Sequence, residues 1–307
     1  MESGIFREYD IRGVAGVDIL DEDVTNIGKA FGTLINHKGG QKVSVGRDCR
    51  LTSDRYADLF IQGILSTGCD VVDIGMCPTP VLYFSIHHLS LGGGAMITAS
   101  HNPPEYNGFK LMNGHDSIHS QGLQEIRKVI ERSDYITGSG RLTQEDVLNP
   151  YQQYLTDHIA IPTTIRLGID AGNGTGGITA LPVLKALGCE VHDLFCNPDG
   201  RFPNHEADPT QKQNLGDLIA LVDNRCPSLE VKNGGEGGSA LVAVLAVIAV
   251  ARDHPGLIVV GKIDARPCGL PQGRLPVGED PAELRDAQWP WIPASAGTVV
   301  EHDVIKD

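Results

Sequence analysis

Strand-length apolar segments alternate with helix-length amphipathic ones through the first half of this chain, and that alternation constrains the fold more than any other feature. Lys42-Val43-Ser44-Val45-Gly46 has the character of a strand and runs into a polar turn, Arg47-Asp48-Cys49-Arg50. Residues Tyr56 to Ser66 carry helical periodicity, with Leu59, Phe60, Gly63 and Ile64 on one face. Asp70-Val71-Val72-Asp73-Ile74-Gly75 reads as the next strand, and Pro78-Thr79-Pro80 punctuates the entry to another helix. Strand–helix–strand units of this length build parallel sheets with right-handed crossovers. The apolar run Ala95-Met96-Ile97-Thr98, after Gly92-Gly93-Gly94, supplies a third strand. Open α/β sheets bind ligands beyond the carboxyl ends of their strands. Chemistry is therefore expected just after this run.

The segment there is Thr98-Ala99-Ser100-His101-Asn102-Pro103-Pro104-Glu105-Tyr106-Asn107-Gly108-Phe109-Lys110. It sets a hydroxyl, an imidazole and an ammonium within one short loop. Serine is a poor nucleophile until something activates it, and phosphorylation turns it into a phosphate carrier. Read locally, the same residues are a polar loop whose Ser and Asn bond their own backbone beside a Pro-Pro turn. The chemical reading gains weight only if other segments agree with it.

Downstream, Gln121 to Arg132 reads as a helix, residues 134–144 as a polar connector, and Tyr151 to Ile159 as a helix into a second unit. A domain boundary is expected near Ile161-Pro162. Beyond it Arg166 to Asp170 is a strand, Gly172 to Gly177 a loop, Ile178 to Leu187 a helix and Glu190 to Phe195 the return strand. Gly172-Asn173-Gly174-Thr175-Gly176-Gly177 matches G-x-G-x-x-G between strand and helix, with Glu190 or Asp193 as the acidic partner of a dinucleotide site. The same glycines serve ordinary turn and packing needs equally well.

At 307 residues the chain is long enough for two domains with sizeable cores. Its formal net charge of −14 argues against a nucleic-acid surface, so an anionic substrate needs a site that gathers its own cations. Seven scattered cysteines without a Cys-x-x-Cys pair read as free thiols in a reducing cytoplasm. Met1-Glu2-Ser3-Gly4 lacks the basic and apolar regions of a signal peptide. The longest apolar run, Ala240 to Ala251, falls short of the about 20 residues a bilayer span needs.

Several segments agree with the chemical reading. The serine loop contains Thr-x-Ser-His-Asn-Pro followed by Asn-Gly-x-Lys. Upstream stand Phe6-Arg7-Glu8-Tyr9-Asp10-Ile11-Arg12-Gly13 and Gly46-Arg47-Asp48-Cys49-Arg50-Leu51-Thr52-Ser53. Downstream, Asn197-Pro198-Asp199-Gly200-Arg201-Phe202-Pro203-Asn204-His205 leads to Ala207-Asp208-Pro209-Thr210 and Asn214-Leu215. In this order they resemble the α-D-phosphohexomutases, the family of phosphoglucomutases and phosphomannomutases. The resemblance covers roughly residues 4 to 230.

The resemblance implies an α/β fold of two phosphohexomutase-type domains, with mixed, mainly parallel sheets flanked by helices. Domain I spans 1–160 and carries the phosphoserine loop; a partial domain II spans 161–230. The implied enzyme is an isomerase of carbohydrate metabolism. It moves a phosphoryl group between C1 and C6 of a hexose phosphate through a phosphoserine and a bisphosphate intermediate. Ser100 becomes the phosphate carrier, and His101 and Lys110 take supporting acid–base and phosphate-facing roles. Tyr9, Arg12 and Asn102 approach the phosphosugar or the phosphoserine, as suits a guanidinium that offers paired donors to phosphate oxygens. Mg²⁺ is the implied metal, held in part through the Ser100 phosphate, and a hexose 1,6-bisphosphate the implied primer. The expected partner is a hexose phosphate, with neither nucleic acid nor membrane. The Gly46–Ser53 segment is expected to cap a helix through Thr52 or Ser53.

Past about Val231 the resemblance ends. Where the family has Asp-Gly-Asp-x-Asp-Arg as its metal loop, this chain reads Leu229-Glu230-Val231-Lys232-Asn233-Gly234-Gly235-Glu236-Gly237-Gly238. Carboxylate metal ligands are not found; His205, Glu206 and Asp208 fit loop packing better than ligation. Residues 231–307 read as a divergent, irregular tail of the kind a shifted reading frame or a truncation leaves. Two expectations stay open: a mutase of impaired activity acting through Ser100, or a non-catalytic phosphosugar-binding or regulatory remnant.

Overall fold

The computed structural model describes residues 3–161 and 166–225, and the strand–helix alternation runs through both segments. The elements in order are β1 (Ile11–Val14), α1 (Asp21–His37), β2 (Lys42–Arg47), α2 (Ser53–Leu65), β3 (Asp70–Met76), α3 (Thr79–His88) and β4 (Gly93–Ile97). There follow β5 (Tyr106–Asn113), β6 (Asp116–Ser117), α4 (Gln121–Arg132), β7 (Leu142–Gln144) and α5 (Leu148–His158). The second unit contributes β8 (Arg166–Asp170), α6 (Gly176–Ala186), β9 (Glu190–Leu194) and α7 (Gly216–Arg225). The apolar run Ala240 to Ala251, the Leu229–Gly238 segment, the tail 231–307 and the boundary residue Pro162 lie outside the described residues.

The first sheet has the strand order β1-β5-β4-β2-β3-β7, with β6 paired to β5. β4, β2, β3 and β7 are parallel neighbours, whereas β5 runs antiparallel between β4 and β1. Side chains alternate across the pleat. Val43, Val45, Val71, Ala95, Ile97, Phe109 and Leu111 face one core with α1, α2 and α4; Val72, Met96 and Met112 face another with α3 and α5. The sheet is thus buried on both faces, which explains its continuous Val and Ile runs. In the second unit β8 and β9 are parallel and pack Ile169 and Val191 against Ala180 and Leu184 of α6.

Three expectations need correction. The stretch Tyr106 to Lys110 is not loop but the first part of β5, so Lys110 sits on a strand paired with Met96. The connector 134–144 ends in a strand, β7, which adds to the sheet edge beside β3. Helix α2 starts at Ser53, and its buried stripe is Tyr56, Phe60 and Ile64 with Ala57 and Ile61; Leu59 is only partly covered.

Helices α1 and α2 approach through two glycines. A Cβ at Gly28 would meet the Phe60 carbonyl oxygen at 2.3 Å, and one at Gly63 would meet the Thr25 carbonyl oxygen at 2.3 Å. Backbone cannot yield as a flexible side chain can, so the added methyl must push the helices apart. Gly63→Ala is expected to cost about 3 kcal/mol, the upper part of the overpacking range. A urea midpoint that falls with an unchanged slope checks this; an unmoved midpoint would show that the pair can separate freely.

Candidate active site

The serine loop leaves the carboxyl edge of the sheet where β2 and β4 end side by side, with Arg47 opposite Ile97 and the Asp48 N–H bonded to the Ile97 carbonyl at 2.9 Å. The Asp48 carboxylate accepts from Ser53 Oγ at 2.5 Å, Thr98 Oγ1 at 2.8 Å, and Arg50 N and Nε at 3.0 and 3.1 Å. Thr98 Oγ1 in turn accepts the Ser100 N–H at 3.0 Å. Arg50 has a side chain with no exposure and spends its guanidinium on the loop. Nη1 donates to the Pro103 and Tyr106 carbonyls at 2.5 and 3.0 Å, and Nη2 to those of Ser100 and Asn102 at 2.9 and 2.7 Å. With Nε on Asp48, all five donors of the fork are engaged.

That fork holds a strained serine. Ser100 has φ +56°, in the left-handed region that L residues avoid. Such a conformation costs about 1–3 kcal/mol. Hydrogen bonds to a charged group contribute about 1.5–3 kcal/mol each, and Arg50 makes four to the loop carbonyls. The hydrogen bonds win, and the strain persists. Burial pulls the Arg50 guanidinium below its ordinary value, Asp48 opposes that, and the like charge of nearby Arg12 adds to it. Burial, then Asp48, pushes the neighbouring Cys49 thiol up to about 12, so it stays protonated at neutral pH and offers no competing nucleophile.

The Gly46–Ser53 segment therefore does something other than capping. Thr52 stands at the N-cap of α2 without a side-chain cap bond; it accepts instead from Asn107 Nδ2 at 2.9 Å. Ser53 bonds Asp48 and accepts from the same Asn107 amide at 3.0 Å. Arg50, Asp48, Thr98 and Asn107 are the residues that sequence reasoning missed. The available signal was a Pro-Pro loop and an Arg-Asp-x-Arg turn that follow two of the apolar, strand-like runs.

The imidazole of His101 brings Nδ1 to 3.4 Å from Ser100 Oγ. Asn102 turns inward, its amide donating to the Ala99 carbonyl at 3.1 Å, so it braces the loop it belongs to. Arg12 and Lys110 come together over Asp10: Arg12 pairs with its carboxylate, and Lys110 Nζ lies 3.7 Å from it. Arg12 on β1 lies opposite Gly108 on β5, where a Cβ would meet the Ile11 carbonyl oxygen at 2.2 Å. Only glycine lets the two strands close here. Among the described residues the buried Arg12 Nε has no hydrogen-bond partner, a cationic donor suited to an anion. Tyr9 is exposed, with its ring 6.1 Å from that of His119.

In the second unit the G-x-G-x-x-G loop uses its own amides. The Gly172, Asn173 and Gly174 N–H groups bond Asp170 Oδ1, the Phe195 carbonyl and the Ala171 carbonyl at 2.8, 2.8 and 2.7 Å. A Cβ at Gly177 would meet the Cys196 carbonyl at 2.5 Å, and Glu190 pairs with Arg166. The glycines serve turn and packing, and none of these three amides is left to cradle a pyrophosphate. His205 pairs with the fully buried Asp170 at 3.1 Å and bonds the Glu206 carbonyl at 2.8 Å, so both ring nitrogens are engaged in the fold.

The hydrogen bond to Asp170 raises the His205 pKa above 6.5, against the effect of burial. A raised folded value means the stabilisation is complete below about 6.5 and fades as pH rises through the folded pKa. Thermal melts are expected to show stability falling with pH in this range for the native chain and less so for His205→Gln. Parallel curves would contradict the pairing.

The described residues do not suit a divalent cation. Among them no group of three or more His, Cys, Asp or Glu side chains converges as a metal site, and Asp48 and Asp10 are committed to Arg50 and to Arg12 with Lys110. No helix among them is long and apolar enough to cross a membrane, and Cys49, Cys69, Cys77, Cys189 and Cys196 are free thiols.

Comparison with known proteins places the chain in one family. Residues 3–136 match the Phosphoglucomutase/phosphomannomutase alpha/beta/alpha domain I, and residues 149–244 match its domain II. A Phosphomannomutase/phosphoglucomutase of Pseudomonas aeruginosa is 41% identical over 237 residues, 77% of this chain and 51% of that protein. A Phosphoglucomutase of Neisseria gonorrhoeae is 40% identical over 222 residues, 72% of this chain and 48% of its own length. A crystal structure of a Phosphoglucomutase/phosphomannomutase family protein from Burkholderia thailandensis superposes with TM-score 0.71 at 38% identity, covering 73% of this chain and 51% of that one. The chain spans about half the length of the curated relatives it matches. With both domains matched and relatives about 40% identical over more than two thirds of its length, the chain belongs to the phosphoglucomutase/phosphomannomutase family.

Proposed function

We propose that this chain carries a phosphoryl group on Ser100 and exchanges it with a hexose phosphate, as the phosphoserine half of a phosphohexomutase site. The observation that carries the reading is Ser100 itself, held at φ +56° at the carboxyl edge of the sheet by the Arg50 fork. In the loading step Ser100 Oγ attacks the phosphorus of a hexose 1,6-bisphosphate and a new Oγ–P bond forms. The P–O bond to the sugar breaks, and the electron pair leaves on the sugar oxygen. The Oγ proton passes to His101 Nδ1, the nearest ring nitrogen at 3.4 Å, and Lys110 protonates the departing oxygen. Arg12 contributes charge for the phosphate oxygens, with Tyr9 at the mouth. Phosphoryl transfer rests on such positioning and charge neutralisation. The free thiols accord with a reducing cytoplasm.

A second reading, a phosphosugar-binding or regulatory remnant, is favoured by one observation: the carboxylates of the site are already paired with Arg and Lys. The same fact underlies an impaired mutase. Turnover of glucose 1-phosphate or mannose 1-phosphate to the 6-phosphate, with Mg²⁺ and bisphosphate primer supplied, separates the readings. Conversion supports the mutase; binding without conversion supports the remnant.

A further inference from the structure

Phe202, like Phe195, has a backbone conformation in the second unit that L side chains rarely adopt. It has φ +48°, where a bulky L side chain is strained and glycine is the ordinary occupant. A turn bond from its N–H to the Asp199 carbonyl at 2.9 Å helps to hold it there. The strained backbone aims the ring across the junction between the units, over the Arg50 guanidinium at 5.2 Å from ring centroid to Cζ. Two further contacts seat the ring. A Cβ at Gly200 would meet the Cys49 carbonyl at 2.3 Å and Arg50 Cα at 2.8 Å, so the Asp199–Phe202 turn rests directly on the Arg50 backbone. The Cys49 thiol donates to the Asn173 carbonyl at 3.3 Å from the same side.

We propose that Phe202 is a positioning residue for Ser100, acting through Arg50 from the other unit. The ring lies within cation–π distance of a guanidinium whose five N–H groups hold the Ser100, Asn102, Pro103 and Tyr106 carbonyls and Asp48. A cation under an aromatic face and out of water keeps its hydrogen bonds strong and its rotamer single. Strain at Phe202 is retained because relieving it would swing the ring off Arg50 and let water compete for the four carbonyls. The second unit thus contributes to the reactive loop through Arg50. The kinetic part rests on the reading of Ser100 as phosphoryl carrier; the structural part does not.

The test uses the full chain with Phe202→Gly, which removes the ring and relieves the backbone, and Phe202→Tyr, which keeps the ring. Amide exchange of Ser100, Asn102 and Tyr106 is expected to rise about tenfold in Phe202→Gly and to stay near native in Phe202→Tyr. The amides of β2 and β3 are expected to be unmoved in both. In the kinetic arm, the maximal rate of Ser100 phosphorylation by glucose 1,6-bisphosphate falls about tenfold in Phe202→Gly, with the half-saturating concentration little changed. Native exchange at Ser100 and Asn102 in Phe202→Gly would overturn the positioning role, as would a uniform rise across both sheets. A native chain that takes no phosphate would overturn the carrier reading alone, since the exchange result still decides the role of Phe202.

Discussion

If Ser100 carries the phosphoryl group as proposed, replacing it with Ala is expected to lower any mutase turnover by about a thousandfold or more, because the proposed carrier is deleted and no neighbour can replace it. The variant leaves the His101 imidazole with no hydroxyl beside it, and the Cys49 thiol is held protonated by burial. The fold should not suffer. Ser100 is held through its N–H and carbonyl, by Thr98 and Arg50, and both contacts survive the change. Alanine at φ +56° is strained much as serine is. A circular-dichroism melt near native beside a lost rate is the expected pair of results. Equal turnover in the two proteins would remove Ser100 from the mechanism.

Asp48→Ala has the largest expected effect on stability, about 3–5 kcal/mol, because it leaves the Arg50 charge buried and unpaired. Asp48 also accepts from Ser53 and Thr98, so two hydroxyls lose their acceptor at once. A loss of that size is a large share of the about 5–15 kcal/mol by which domains of this kind are stable. Denaturant midpoints measure it. A change within about 0.5 kcal/mol, the range of an ordinary surface substitution, would mean that water reaches Arg50 and that the fork does not hold the loop.

Much of the fold was legible in the residues because its strands announce themselves. β2, β3 and β4 are apolar runs bounded by Gly and Pro, and α4 coincides with the amphipathic stretch Gln121 to Arg132. β5 was not read, and the reason is chemical. Asn107 and Gly108 look like turn residues, yet Asn107 is buried to bond Thr52 and Ser53, and Gly108 is there so that β1 can close on it. Lys110 was accordingly placed on a loop, whereas strand pairing is what carries it to Asp10 beside Arg12.

Of the candidate site, Ser100, His101, Arg12 and Lys110 were visible as motif residues, while the device that positions them was not. Arg50 reaches carbonyls 50 to 56 positions away in sequence. Local patterns carry no trace of such a contact. Phe202, strained and lying on that guanidinium from another unit, is further still from what spacing can show.

The most direct test of the carrier role is the intact mass of the full chain after incubation with glucose 1,6-bisphosphate, followed by peptide mapping. The account predicts one added phosphoryl group, located on Ser100 and absent from Ser100→Ala. A chain that stays unmodified, or that carries its phosphate on another residue, would contradict it.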